Sequence, residues 1–81
     1  MPYIKQERRD RIDELGPSVI ATAGDLNYFL TRIALDYLGK KPDYQLYNDV
    51  IGALECCKLE LYRRRTAAYE DVKIQENGDV Y

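Results

Sequence analysis

Apolar residues recur along this chain at the three- and four-residue spacing of helices, and no stretch alternates strictly enough to make a strand. Ile4–Leu15 is a charged helical stretch with sparse apolar positions, Ile4, Ile12 and Leu15. Its charges cancel, and Gly16-Pro17 ends it. Ser18–Ala23 is short and apolar, one or two helical turns, and Gly24-Asp25 reads as a break followed by an N-cap. Leu26, Leu30, Ile33 and Tyr37 then mark one face of a helix running to about Leu38, with Gly39 as its terminator. Asp43 is placed to cap the longest helix, Tyr44–Arg65. That helix carries two adjacent stripes. One is Leu46, Val50, Leu54, Cys57 and Leu61, and the other is Tyr47, Ile51, Lys58 and Tyr62. Thr66-Ala67-Ala68 continues or bends it. Tyr69–Gln75 is a further helical piece, stopped by Asn77-Gly78. The expected fold is all-α: a hairpin of Leu26–Leu38 and Tyr44–Arg65 with flanking N- and C-terminal helices. It forms a single domain, 1–81, whose residues 76–81 are a polar tail.

Length changes this picture. A chain of 81 residues holds one small core, which rarely supplies more than ~3–5 kcal/mol without a staple. The only cysteines, Cys56 and Cys57, are adjacent. On a helix they diverge by ~100° and do not pair with each other. With no His in the chain, they also fall short of a structural zinc set. They are expected to be reduced, half-buried core residues of a cytoplasmic protein. Tyr37 and Tyr47 are expected in the core as well. Self-association, as a dimer or tetramer, is the expected staple, because the wide apolar surface of Tyr44–Arg65 needs more than one partner helix.

Charge narrows the function classes. Twelve Lys+Arg against fourteen Asp+Glu give a formal charge of −2, which argues against binding long nucleic acid by phosphate neutralisation. The longest uncharged run, Gly16–Gly24, is far short of the ~20 residues of a membrane span, and charges interrupt any signal-peptide core near the start. Without His, a cysteine nucleophile lacks its usual base. Glu7, Asp10 and Glu14 share a helix face and are candidate Mg²⁺ ligands, but basic neighbours favour a solvated, ion-paired face. No catalytic residue, metal or cofactor is expected.

Tyr62-Arg63-Arg64-Arg65 is the strong same-sign cluster. Near a helix C-terminus it complements the dipole, and it also offers planar forks to phosphate oxygens beside a stacking ring. Three consecutive arginines fan over ~200° and cannot all serve one site in one subunit. Tyr28, with Asn27, Thr31 and Arg32 nearby, makes a second aromatic and polar patch, either an interface or a ligand wall.

The segments MPYIKQE, NYFLTRI, VIGALECCKLELYRRR and YEDVKIQENGDVY together resemble a family of small proteins found mainly in phages and related metagenomic sequences and catalogued as a domain of unknown function. The resemblance covers most of the chain and is weakest around Gly16–Gly24. Where the pattern has Pro before the Tyr of the YED segment, this chain has Ala68, which softens the bend expected there. The family is in turn similar to phage proteins that sequester cyclic dinucleotides, such as 3′,3′-cGAMP, and blunt CBASS anti-phage signalling. That similarity implies a non-catalytic, homo-oligomeric sponge in the host cytoplasm, its pocket lying between subunits. Two phosphate clamps and two stacking faces would come from Arg63, Arg64, Tyr62, Tyr28, Arg32, Lys5, Arg8 and Tyr81. The alternatives are a helical inhibitor of a host protein and a Mg²⁺-dependent nucleotide hydrolase.

Overall fold

A computed structural model describes all 81 residues, and the chain is all-α, without strands. Its helices are α1 (Gln6–Leu15), α2 (Ala23–Leu38), α3 (Tyr44–Leu61) and α4 (Ala67–Asn77). A 3-10 turn, Gly16–Val19, follows α1, and a π turn, Tyr62–Thr66, joins α3 to α4. The chain divides into two compact units, Met1–Asp43 and Tyr44–Tyr81. The two long helices expected to form a hairpin belong one to each unit, and each unit is described by itself.

In the first unit α1 packs on α2 and on the 3-10 turn. Ile12 is its one fully buried apolar side chain, 1% exposed. α1 ends at Gly16, whose φ of 75° is costly for residues with a Cβ, and the Gly16 N–H closes on the Ile12 carbonyl. The start of α2 corrects the sequence reading. Thr22, not Asp25, is the cap: its hydroxyl accepts the Asp25 N–H at 3.0 Å. Gly24 therefore lies inside the first turn rather than at a break. Its lack of a side chain serves close approach, since a Cβ there would stand 3.0 Å from Ile4 Cγ2. α2 ends as expected at Gly39, with φ 73°.

The second unit is one helix with a tail. Leu61 and Ala67, on either side of the π turn, keep helical backbone angles, so α3, the π turn and α4 run on without a break. Thr66-Ala67-Ala68 continues the helix and does not bend it out. At 1.5 Å per residue it is about 50 Å long. Asn77-Gly78 stops it, with Gly78 at φ 89° and its N–H on the Ile74 carbonyl at 2.8 Å. No residue of this unit is buried. Ile51 is 66% exposed, and Leu54, Leu59, Leu61, Val72 and Ile74 are exposed with it. Two expectations about the core are overturned. Tyr37 and Tyr47 are 62% and 50% exposed, and both cysteines are free and exposed. Helical periodicity identifies an apolar face but does not supply its cover, and these residues stand exposed.

The π turn changes the phase of the long helix. In a plain α-helix, eight residues turn ~800°, about 80° past two full turns. A π turn accommodates an extra residue, so eight residues spanning it come within about 20° of a whole number of turns. Tyr62 shows the consequence, as its hydroxyl donates to a carboxylate oxygen of Glu70, eight residues on.

Candidate ligand-binding surface

Lys5, Arg8, Tyr28 and Arg32 lie in the first unit. Arg8 has a structural task there. Its Nη2 donates to the Val19 carbonyl at 2.7 Å and to Asp25 Oδ2 at 2.6 Å. Asp25 is 2% exposed, and the same oxygen accepts the Ala21 N–H at 3.1 Å. The Arg8 hydrogen bond, helped by Ala21, holds the Asp25 carboxyl below its ordinary pKa. This constellation ties α1 to the cap of α2. Lys5 is the exposed residue preceding α1, and its carbonyl accepts the Arg8 and Arg9 N–H groups. The Tyr28 hydroxyl donates to Asp13 Oδ1 at 2.7 Å, and this bond pushes the phenol pKa up. Arg32 is turned onto Asp36 of its own helix, at 2.6 Å, and the Thr31 hydroxyl donates to the Asn27 carbonyl at 2.8 Å. Tyr28 and Arg32 thus remain one helical turn apart on α2, each with a carboxylate partner already.

The second unit holds Tyr62, Arg63, Arg64 and Tyr81. Arg63 Nη2 donates to Glu60 Oε1 at 2.8 Å, while Arg64 Nη1 stands 3.7 Å from the same oxygen. Arg64 and Arg65 border an open concavity of about 480 Å³ with Cys57, Glu60 and Leu61. Sequence reasoning placed Arg63 and Arg64 ahead of Arg65. In the structure Arg64 and Arg65 share a surface, and Arg63 is turned onto Glu60.

The tail turns at Gly78, so that Gly78–Tyr81 and the α4 residues Glu70, Lys73, Ile74 and Asn77 surround a groove of about 310 Å³. Tyr81 comes close enough to act electrostatically on Tyr62, whose phenol pKa is raised, chiefly by its hydrogen bond to Glu70. Lys73 Nζ lies 5.5 Å from the Tyr69 ring centre and 3.1 Å from Glu76. Glu70 and Lys73 carried no signal in the sequence, because what makes them notable is the returning tail and the shift in helical phase.

No three Cys, Asp or Glu side chains are grouped as metal ligands. Asp10 accepts the Gln6 side-chain amide at 2.8 Å. No helix is long and apolar enough to cross a membrane. Chemically, the exposed arginines of the π turn suit a planar, multivalent anion, and Tyr62 in the same turn carries an aromatic ring. No curated protein and no solved structure matches the chain. The family model that does match, a domain of unknown function (DUF6899), covers residues 1–80, and the chain belongs to that family.

Proposed function

We propose that this chain is a non-catalytic, phage-derived binding protein that sequesters a cyclic dinucleotide in the cytoplasm of an infected cell and so blocks CBASS-type defence. Its site is completed when copies associate. The observation that carries the reading is the pair Arg64 and Arg65 at one concavity, which Cys57, Glu60 and Leu61 also line. Arg65 has no carboxylate within ion-pairing distance, and Arg64 has only the distant Glu60. Two guanidinium forks on one surface match the phosphates of a dinucleotide, and a second copy doubles them. Formal charge of −2 keeps the rest of the surface from attracting bulk nucleic acid.

Calorimetry with 3′,3′-cGAMP and with a linear dinucleotide tests the proposal. Binding is expected to weaken with salt and to fall by one to two decades in Arg64→Ala and Arg65→Ala, about 1.5–3 kcal/mol for a charge-assisted contact. The ligand recovered after heat denaturation is expected intact. Absence of heat with any cyclic nucleotide at about 50 μM protein, the weakest affinity useful for sequestration, ends this reading. The exposed apolar residues Ile51, Leu54 and Val72 favour a second one, a helical inhibitor of a host protein. A pull-down that ignores added nucleotide separates the two.

A further inference from the structure

Five residues around the π turn make a row along the second unit: Leu59, Arg63, Ala67, Asp71 and Ile74. Leu59 and Ala67 are eight residues apart across the π turn, and Ala67 and Ile74 are seven apart in α4. Both steps return within about 20° of the same side of the helix. Arg63 and Asp71 lie one turn to either side of Ala67. In order, the row reads apolar, positive, small, negative, apolar. Reversed, it reads apolar, negative, small, positive, apolar. A second copy laid antiparallel therefore matches every position: Ala67 against Ala67, Arg63 against Asp71, Leu59 against Ile74.

We infer that this row is an isologous, two-fold interface between two copies of the chain, crossing at Ala67. The inference rests on the self-associating part of the proposed function and names its surface. Leu59 and Ile74 are exposed in the single chain, Ile74 at the wall of the groove that the tail makes with α4. Asp71 has neither a hydrogen bond nor an ion pair within its own chain, while every other carboxylate of α4 has a partner in Tyr62 or Lys73. Arg63 holds Glu60 with Nη2 alone and keeps further donors for a second carboxylate. Ala67 at the crossing, flanked by Thr66 and Ala68, lets the two backbones approach closely. The charge blocks beyond the row agree. Residues 58–65 hold Lys58 and three arginines against the single Glu60. Residues 70–79 hold Glu70, Asp71, Glu76 and Asp79 against the single Lys73. Antiparallel alignment about Ala67 lays the basic block of each copy on the acidic block of the other, whereas a parallel one superposes like charges. Because Arg64 and Arg65 are not in the row, the pairing leaves them at their concavity.

Sedimentation equilibrium of the full chain tests the interface without any nucleotide, so its failure and failure of the ligand reading are separate results. The wild type is expected to be a dimer, or a tetramer built from it, at about 50 μM. Arg63→Asp and Asp71→Arg are each expected to weaken association about tenfold, with helical circular dichroism retained, and the double swap Arg63→Asp/Asp71→Arg to restore it. Ala67→Cys, with Cys56→Ser and Cys57→Ser to remove the native thiols, is expected to cross-link two copies under mild oxidation, since residues at a two-fold axis meet disulfide geometry. A monomeric wild type, single swaps that change nothing, a double swap without rescue, or an Ala67→Cys chain that stays uncross-linked would each overturn the inference.

Discussion

Truncating Ile12 to Ala tests how the first unit is held together. Ile12 is the only apolar side chain there with 1% exposure, and Asp25 is its only other buried residue. An Ile→Ala change at a buried site costs ~2–5 kcal/mol, the transfer term plus the cavity. A unit of this size commands about 3–5 kcal/mol in total, so the loss is comparable to everything the unit has. Amide hydrogen exchange read residue by residue is the suitable assay, because circular dichroism sums the helices of both units. Protection across α1 and the first turns of α2 is expected to collapse in Ile12→Ala, while protection in α3 and α4 is kept. Ile12→Val, losing one methylene, is expected to lower the free energy of opening by ~0.5–1.5 kcal/mol. If Ile12→Ala lowers it by less than about 1 kcal/mol, the packing of α1 on α2 does not rest on this side chain and the account of the unit is wrong.

Acid should loosen the same unit by a separate route. The Asp25 carboxyl has a lower pKa folded than unfolded, so its contribution is complete above the unfolded value, about 3.9, and is lost as pH falls through the folded one. Exchange protection of α1 and of the α2 cap should therefore be flat from neutral pH to about 5, fall below about 4, and lose this acid dependence in Asp25→Asn. A wild-type profile that stays flat to pH 2 contradicts the ion pair. Alkali gives the opposite sign at Tyr28. Its phenol pKa is raised by the Asp13 hydrogen bond, so that bond contributes fully below the unfolded value of about 10 and is lost as pH rises through the folded one. Ultraviolet titration should show Tyr28 and Tyr62 ionising above the ordinary phenol value of about 10. Asp13→Asn should lower the Tyr28 value, and Glu70→Gln should do so for Tyr62.

Helix ends in this chain were legible wherever a local rule decided them. Gly16, Gly39 and Gly78 close three helices at positive φ, and each is recognisable in sequence because only a residue without Cβ enters that region cheaply. The start of α2 was misread because Gly24-Asp25 has the composition of a break and a cap. What favours glycine at position 24 is the close approach of Ile4, twenty positions earlier, and no local rule contains that contact. The structural task of Arg8 was illegible for the same reason. Its partner Asp25 is seventeen residues away, and the pairing exists only once α1 and α2 are packed. The π turn is marked by nothing in YRRRT, yet it sets which residues share a side. Tyr62 and Glu70 meet because of it, and so do the members of the row through Ala67.

The misplaced cysteines and tyrosines have a deeper cause. A periodic apolar stripe states that something must cover it; self-association was expected over Tyr44–Arg65, yet Tyr37, Tyr47 and both cysteines were still assigned to a core within the chain itself. α3 and α4 contradict this, because their own means are slight. The ion pairs Lys58–Glu55, Arg63–Glu60 and Lys73–Glu76 are all exposed and local, worth a few tenths of a kcal/mol each. Gly52 in the middle of α3 takes back ~1 kcal/mol relative to Ala. A long helix in water draws most of its stability from packing an apolar face, and here that face is open. Under the proposed function the helix, the interface and the ligand would form one equilibrium. Copies that pair would stabilise the helix, the paired helices would fix Arg64 and Arg65 at defined distances across the assembly, and a polyanion held by both copies would stabilise the pair in turn. A binding protein of this size would then gain its ligand site and its fold by the same association.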